Sequence, residues 1–503
     1  MAAGKEHAPL ARPGRSSYSR LRMTTTATPG SRTEAEPGRL PPDGDPPEPT
    51  RADGQAAARY ERRYTGTGPA TDLLSGTMRE YGRDPLGAML RWRDLHGDFV
   101  PIRFGPFRAH MAFGPAEVEE LLITRAGDFR KSIGTRMLSP LLGRGLLTAE
   151  GDDWLRHRRL AAPAFHRERV AGYGRVMARY ADEAADRWHD GEDLDLHEEM
   201  TALTLRIVAR VLFDADVTTR IAEVARLGTQ IQDFYFDRYA SLRFLIPTWL
   251  PTPANVRLGK AVRRLNHIVY RIIGERQPGK DRGDLLSILM ATDDAGGRLS
   301  RRQVRDEVMT LLLAGHETTA LALTWAWTLL DRHAAARTEL DAELDRVLGD
   351  RLPDPADVAA LPYTNAIVNE TLRLYPPAYA TGREAIRDTK VGGLTIPKRH
   401  VIFASIYVTH RDPRFFPEPD AFRPERWLDG LEKRLPRGAF IPFGLGPRKC
   451  IGASFAIMEA ALVLATIARR WRFNVARRDI PTHPAVTLRP AEPVRAIARA
   501  RAA

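Results

Sequence analysis

Apolar residues recur every three to four positions through most of the chain beyond residue 116, the period of a helix with one buried face. The pattern predicts long amphipathic helices at about 166–230, 254–277, 300–332, 336–348 and 363–375. Ahead of them, "ATDLLSGTMREYGRDPLGAMLRWRDLHG" has helical period, and "DFVPIRFGPFRAHMAFGP" alternates as two strands folded at Gly105 and Pro106. Short strands return in "TKVGGLTIPKRHVIFAS", a proline-rich irregular stretch covers 412–442, and a last helix follows Cys450. No internal repeat is visible. These elements predict a mainly α protein with small β-sheets (α+β).

The period fails near the start. Residues 24–58, typified by "RLPPDGDPPEPTRADGQ", are rich in Pro, Gly, Thr and acids and offer too little apolar surface to order themselves. Residues 1–60 are therefore expected to be a disordered Pro/Gly/Arg-rich tail, with one large domain over 61–503 and Met23 as an alternative start.

Composition narrows the class. With 43% hydrophobic and 28% charged residues the chain can bury a substantial core. One cysteine allows no internal disulfide, which points to a reducing compartment and a cytoplasmic location. The net charge of +13 comes from arginines scattered through amphipathic segments, without a nucleic-acid-reading module, so nucleic acid is not expected as a partner. The longest apolar runs, "LALTWAWTLL" and "AALVLATIA", reach about half the roughly 20 residues that span a bilayer, so no transmembrane anchor is expected.

Three constellations carry chemistry. Cys450 follows "FGLGPRK" and precedes "IGASFAIMEAALVLATIARRW", a strong helical pattern. Orphan amides, the helix dipole and neighbouring bases favour a thiolate there, suited to a metal ligand or a nucleophile. The alternatives are a small buried hydrophobe or a protease nucleophile. In "LLLAGHETTALALTW", inside a helix opened by a Ser300/Gln303 capping box, Gly315 and the pair Thr318 and Thr319 weaken the helix. Ala314, Gly315 and Thr318 on one face leave a notch for a flat cofactor or small ligand, with Glu317 as an acid/base group beside it; a helix-packing notch with a solvated glutamate is the alternative. "NETLRLYPP" places Glu370 and Arg373 at i, i+3, and "FRPERW" supplies Arg426; buried together they would pin the cysteine loop to the helical core.

Taken in order, "WLRHR", "AGHETT", "ETLR", "PERW" and "FGLGPRKCIG" resemble the cytochrome P-450 superfamily of haem-thiolate monooxygenases, soluble bacterial type, over about residues 70–500. The resemblance implies the cytochrome P-450 fold with haem b as cofactor. It makes Cys450 the axial thiolate, which pushes electron density to iron and favours O–O cleavage. Phe443 would pack near the sulfur, and Trp154, Arg158, Arg448 and Arg383 would anchor the propionates. Thr318 and Glu317 would manage proton delivery to dioxygen. Glu317 stands where many relatives have aspartate, and His316 fills a variable position.

By the same resemblance, one atom of O2 enters a lipophilic small molecule by hydroxylation or epoxidation, a terpenoid or other secondary metabolite being favoured over a fatty acid for want of a basic anchor. Phe234, Tyr235, Phe236, Ala314 and Tyr379 would line the pocket. No flavin or nicotinamide domain is visible, so electrons are expected from a ferredoxin and its NAD(P)H-dependent reductase, docking near Lys449, Arg156 and Arg159. A haem-binding sensor or carrier and a peroxide-driven fatty-acid hydroxylase are the rival readings; the Glu317–Thr318 pair favours the dioxygen enzyme.

Overall fold

Ser300 accepts a hydrogen bond from the Gln303 backbone N–H (3.3 Å), and the Gln303 side chain accepts one from the Ser300 N–H (2.9 Å). This reciprocal cap opens the 32-residue helix Arg301–Arg332, the axis of the protein. The computed structural model describes residue 63, residues 65–71 and residues 76–501, apart from 106, 240, 242, 244, 245, 277–281 and 292–298. All belong to one compact unit spanning 52–503. The tail expected at 1–60 lies outside the described residues.

In chain order, α1 (Pro85–His96) leads into β1 (Phe99–Phe104) and β2 (Phe107–Ala112), the hairpin read from the sequence. Then come β3 (Phe129–Lys131), α2 (Gly151–Ala161), α3 (Arg167–Ala185), β4 (Asp193–Asp195), α4 (Leu196–Phe213), α5 (Ile221–Tyr239) and α6 (Pro253–Gly274). The axial helix is α7, followed by α8 (Ala334–Val347), α9 (Pro362–Leu374), β5 (Ala380–Ala385), β6 (Thr389–Val391), β7 (Leu394–Ile396) and β8 (Val401–Ser405). The chain ends with α10 (Ala453–Ala468), β9 (Trp471–Val475), β10 (Thr482–Pro484), β11 (Leu488–Pro490) and β12 (Arg495–Ala500).

The single helical run expected at 166–230 is three helices. Gly191, at φ +86°, turns the chain into β4; Asp195 caps α4 by accepting from the N–H groups of His197 and Glu198; and Asp214, at φ 40°, ends it. Continuous amphipathic periodicity hid these stops. Strands β3, β4, β5 and β9–β12 were also unforeseen.

The large apolar core lies among the helices, with α7 packed along α4 and α10 along α3. A five-stranded sheet, ordered β1-β2-β8-β5-β3 with β2 and β8 parallel, carries two smaller clusters. In it the β3–β5 register sets Lys131 opposite Arg383. Among the described residues no helix is long and apolar enough to cross a membrane.

Candidate active site

The cysteine loop is held from below by a buried carboxylate. Glu370 on α9 takes a bidentate pair from Arg373 (Nε to Oε2 and Nη2 to Oε1, both 2.8 Å), both side chains having no exposed surface. Arg426 Nε (3.0 Å) and the Arg423 N–H (2.9 Å) also reach Oε1, and Trp427 Nε1 (2.9 Å) reaches Oε2. Arg373 spends its remaining donors on the carbonyls of His410, Pro419 and Ala421. So complete a set offsets the desolvation of the charges, and it fixes the irregular 410–427 segment to the helices. His410, which the sequence reading missed, extends the brace: burial, with Arg373 and Arg411 beside it, pushes it down to about 3, and the neutral ring accepts the Ile441 N–H at 2.8 Å.

From Ile441 the loop closes on itself. Gly444 N–H bonds the Ile441 carbonyl and Cys450 N–H the Phe443 carbonyl, both at 2.9 Å. Gly446, at φ +69°, lies where a Cβ would strike the Leu122 carbonyl oxygen. Cys450 thus stands three residues ahead of α10 with accessible surface. The sequence-based expectation that its surroundings favour the thiolate is corrected. Protein crowding pushes the thiol up, and the Gly452 N–H with Arg158, Lys449 and Lys131 offsets only part of that.

Around Cys450 gathers a cluster of cations. Arg448 lies over the Trp154 ring at 3.9 Å and Arg158 at 5.9 Å; Arg158 Nη1 donates to the Lys449 carbonyl at 2.9 Å, and Arg448 also reaches the Ala149 carbonyl (2.9 Å) and Glu150. Arg383 donates to Thr381 Oγ1 (3.1 Å) and the Gly382 carbonyl (3.0 Å). Lys131, which the sequence reading did not single out, is the fourth cation: burial and then Arg383 and Arg448 push it down to about 7, while burial and Arg448 push Arg383 down to about 10. Glu150 is the carboxylate that eases both.

On the other side, α7 is buried over 304–312 and 319–330 but opens at 313–318, where Ala314 is exposed. Thr318 Oγ1 donates back to the Ala314 carbonyl at 2.9 Å. Gly315 is a packing notch after all: a Cβ there would come within 2.8 Å of Val208 on α4, so only Ala314 and Thr318 keep the open face. Glu317 is half-buried and partnered rather than simply solvated. Its Oε1 accepts from Thr487 Oγ1 at 2.8 Å and from Gln232 Nε2, joining α7 to α5 and to the turn before β11. His316 is buried, its ring Nδ1 2.7 Å from the Leu312 carbonyl.

The expected pocket residues divide. Phe234 and Phe236 are half-buried, Phe236 against His483. Tyr235 is fully buried with its hydroxyl donating to the Met137 carbonyl (2.9 Å), and Tyr379 is buried with its hydroxyl on the carbonyls of Pro484 (2.9 Å) and Ala485 (3.0 Å). Both hydroxyls are thus taken up by backbone carbonyls.

The cytochrome P-450 family profile matches residues 68–496. The chain is 41% identical over 427 residues to cyclooctatin synthase of Streptomyces melanosporofaciens, covering 84% of this chain and 92% of that one. It is 37% identical to cyclooctat-9-en-7-ol 5-monooxygenase of the same organism, over 84% and 92% of the two chains. It is 36% identical to pentalenene oxygenase of Streptomyces avermitilis, over 82% and 91%. The chain belongs to the cytochrome P-450 family.

As a cytochrome P-450 it is a haem b-dependent monooxygenase that uses O2 and electrons from a redox partner, so the carrier reading falls away. The donor set fits the cofactor: one cysteine beside four cations whose mutual repulsion Glu150 eases only in part. Two haem propionates are anions of the right charge for that cluster.

Proposed function

We propose that this cytochrome P-450 oxygenates a polycyclic terpenoid in the cytoplasm, with electrons from a ferredoxin and its NAD(P)H-dependent reductase. The observation that carries the substrate class is the open face of α7: Ala314 and Thr318, which form it, are uncharged, and Glu317 beside them is occupied by Thr487 and Gln232. Such a face suits a ring system without a carboxylate, and the hydrocarbon and alcohol in the names of the related enzymes agree with it.

In this reading haem, once bound, supplies the iron at which dioxygen is activated. Cys450 ligates it as thiolate, and Phe443 encloses the sulfur. Lys131, Arg158, Arg383 and Arg448 hold the propionates, with Trp154 stacked beneath two of the guanidinium groups. Thr318, whose hydroxyl now donates to the Ala314 carbonyl, would hold a proton at its Oγ1 on the open face, and Glu317 would replenish that proton. The buried Glu370–Arg373–Arg426 set keeps the cysteine loop in register. The exposed bases Lys449 and Arg159, with Arg156, meet an acidic ferredoxin.

Optical titration of the ferric holoprotein tests the substrate class. Cyclic terpenes and their alcohols should shift the Soret band to the blue as water leaves the iron. A shift produced by fatty acids and by none of the terpenes would overturn it.

A further inference from the structure

Helix α6 contains no acidic residue, and its outward face is a stripe of bases. Arg257, Lys260, Arg263, Arg264, His267 and Arg271 recur at helical spacing and are all exposed, while Leu258, Ala261, Leu265, Ile268 and Ile272 are buried on the opposite face. Arg264 pairs with Glu223 of α5. Among the described residues no carboxylate reaches Arg257, Lys260 or Arg263. The neighbouring acids on α5 are occupied, Asp233 by Arg489 and Asp237 by Arg243.

At the start of this stripe stands an apolar knob. Trp249 is 80% exposed, Leu250 40% and Val256, on the first turn of α6, 42%. The chain holds them there by construction. Buried Asn255 donates through Nδ2 to the carbonyls of Pro247 (2.9 Å) and Leu250 (2.7 Å). Thr252 Oγ1 accepts the Asn255 N–H at 3.2 Å, and Leu250 N–H bonds the Pro247 carbonyl at 3.2 Å. A turn this well bonded keeps an indole in water.

We infer that this face, Trp249, Leu250 and Val256 together with the base stripe of α6, docks on an anionic lipid surface. An indole fits the headgroup level of a bilayer, and a row of unpaired bases on a neighbouring helix is attracted to anionic headgroups. The stripe is about 20 Å long, matching a surface that presents negative charge everywhere. Single-stranded nucleic acid would call for aromatic platforms interleaved with the bases, whereas here the apolar group is confined to one end. The inference goes beyond the oxygenase reading and does not depend on its substrate.

Sedimentation of the full-length holoprotein with vesicles tests it. Vesicles of equal parts phosphatidylglycerol and phosphatidylcholine should bind the protein at low salt and release it as ionic strength rises; phosphatidylcholine alone should not bind it. R257Q/K260Q/R263Q should weaken binding about a hundredfold, at about five-fold per base. W249S should weaken it several-fold, and both variants should keep the wild-type Soret band and melting transition. Failure of the wild type to bind the mixed vesicles overturns the proposal. So does either variant binding like the wild type, which would move the contact to other bases. Retention on duplex DNA that the triple variant loses, without vesicle binding, would assign the stripe to nucleic acid instead.

Discussion

Thr487, just ahead of β11, donates its hydroxyl to Glu317 Oε1 across 2.8 Å, and Gln232 on α5 donates to the same oxygen. The carboxylate assigned to proton delivery is therefore held by two neutral donors from elements that are far away in the chain. Its position therefore depends on where α5 and the β10–β11 turn sit. Thr487→Val should loosen it, lowering product formed per NAD(P)H, and Thr487→Ser should restore the ratio. Glu317→Gln, which removes the acid, should lower turnover about a hundredfold or more. A Thr487→Val enzyme as well coupled as the wild type would show that the hydrogen bond only fills space.

Thr318 is separable from Glu317. Its hydroxyl turns to the Ala314 carbonyl, away from the Glu317 cluster. Thr318→Ala should leave NAD(P)H consumption largely intact and divert it to hydrogen peroxide, since oxygen still binds but its proton is misdelivered. The measurement is peroxide per NAD(P)H consumed; an unchanged ratio would remove Thr318 from the relay.

Arg373 is tested through folding. Removing one partner of a buried, fully bonded pair leaves the other charge stranded, at a cost of about 3–5 kcal/mol. Arg373→Met takes from Glu370 its bidentate partner, leaving Arg426 as its cation, and frees the His410, Pro419 and Ala421 carbonyls, so the soluble yield and the haem bound per chain should both collapse. Arg423→Ala, which keeps the backbone N–H on Glu370, should retain haem. The Soret absorbance per polypeptide distinguishes them.

The motifs legible in the sequence are those whose parts lie within a few residues: the glycine-flanked Cys450, the i, i+3 pair of Glu370 and Arg373, and the capped run from Ser300. Their spacing is itself the constraint. Lys131, His410, Gln232 and Thr487 were not legible because each acquires its role from a partner brought by tertiary structure. Lys131 becomes a site residue only because β3 pairs with β5 and sets it opposite Arg383. Gly315 shows the converse: its small size looked like a cofactor notch and is used for contact with Val208. The fold was readable as mainly helical because amphipathic period survives in single segments, while strands of three to six residues leave too little pattern to stand out from loops.

Glu459 on α10 offers a pH signature. It is fully buried, and burial pushes it up to about 8, with the Thr319 hydroxyl beside it offsetting part of the shift. The folded protein thus keeps this proton up to about pH 8, while the unfolded chain releases it near the usual value of 4.5. Between those values the native state binds more protons, so stability falls as pH rises and the loss is complete above the folded value. Glu459→Gln cannot titrate. Its melting temperature should match the wild type in acid and exceed it increasingly towards pH 8; parallel curves would mean that Glu459 does not hold its proton.

Lys131 carries two opposite expectations. In the apoprotein it is a buried cation facing Arg383 and Arg448, and its depressed value, about 7, reflects the cost of charging it there. Lys131→Met keeps the side-chain length and discards the charge, so the apoprotein should melt higher than the wild type below neutral pH, where Lys131 would be protonated. In the holoprotein the same cation would face a propionate, and its loss removes a charge-assisted bond from the cofactor. Haem should then leave Lys131→Met several-fold faster, as read by transfer to a haem acceptor in excess. Lys131→Arg, which keeps the charge, should retain haem. Both shifts together identify the cation cluster as a propionate site. A higher apoprotein melting point without faster haem loss would mean that Lys131 is a strained core residue with no hold on the cofactor.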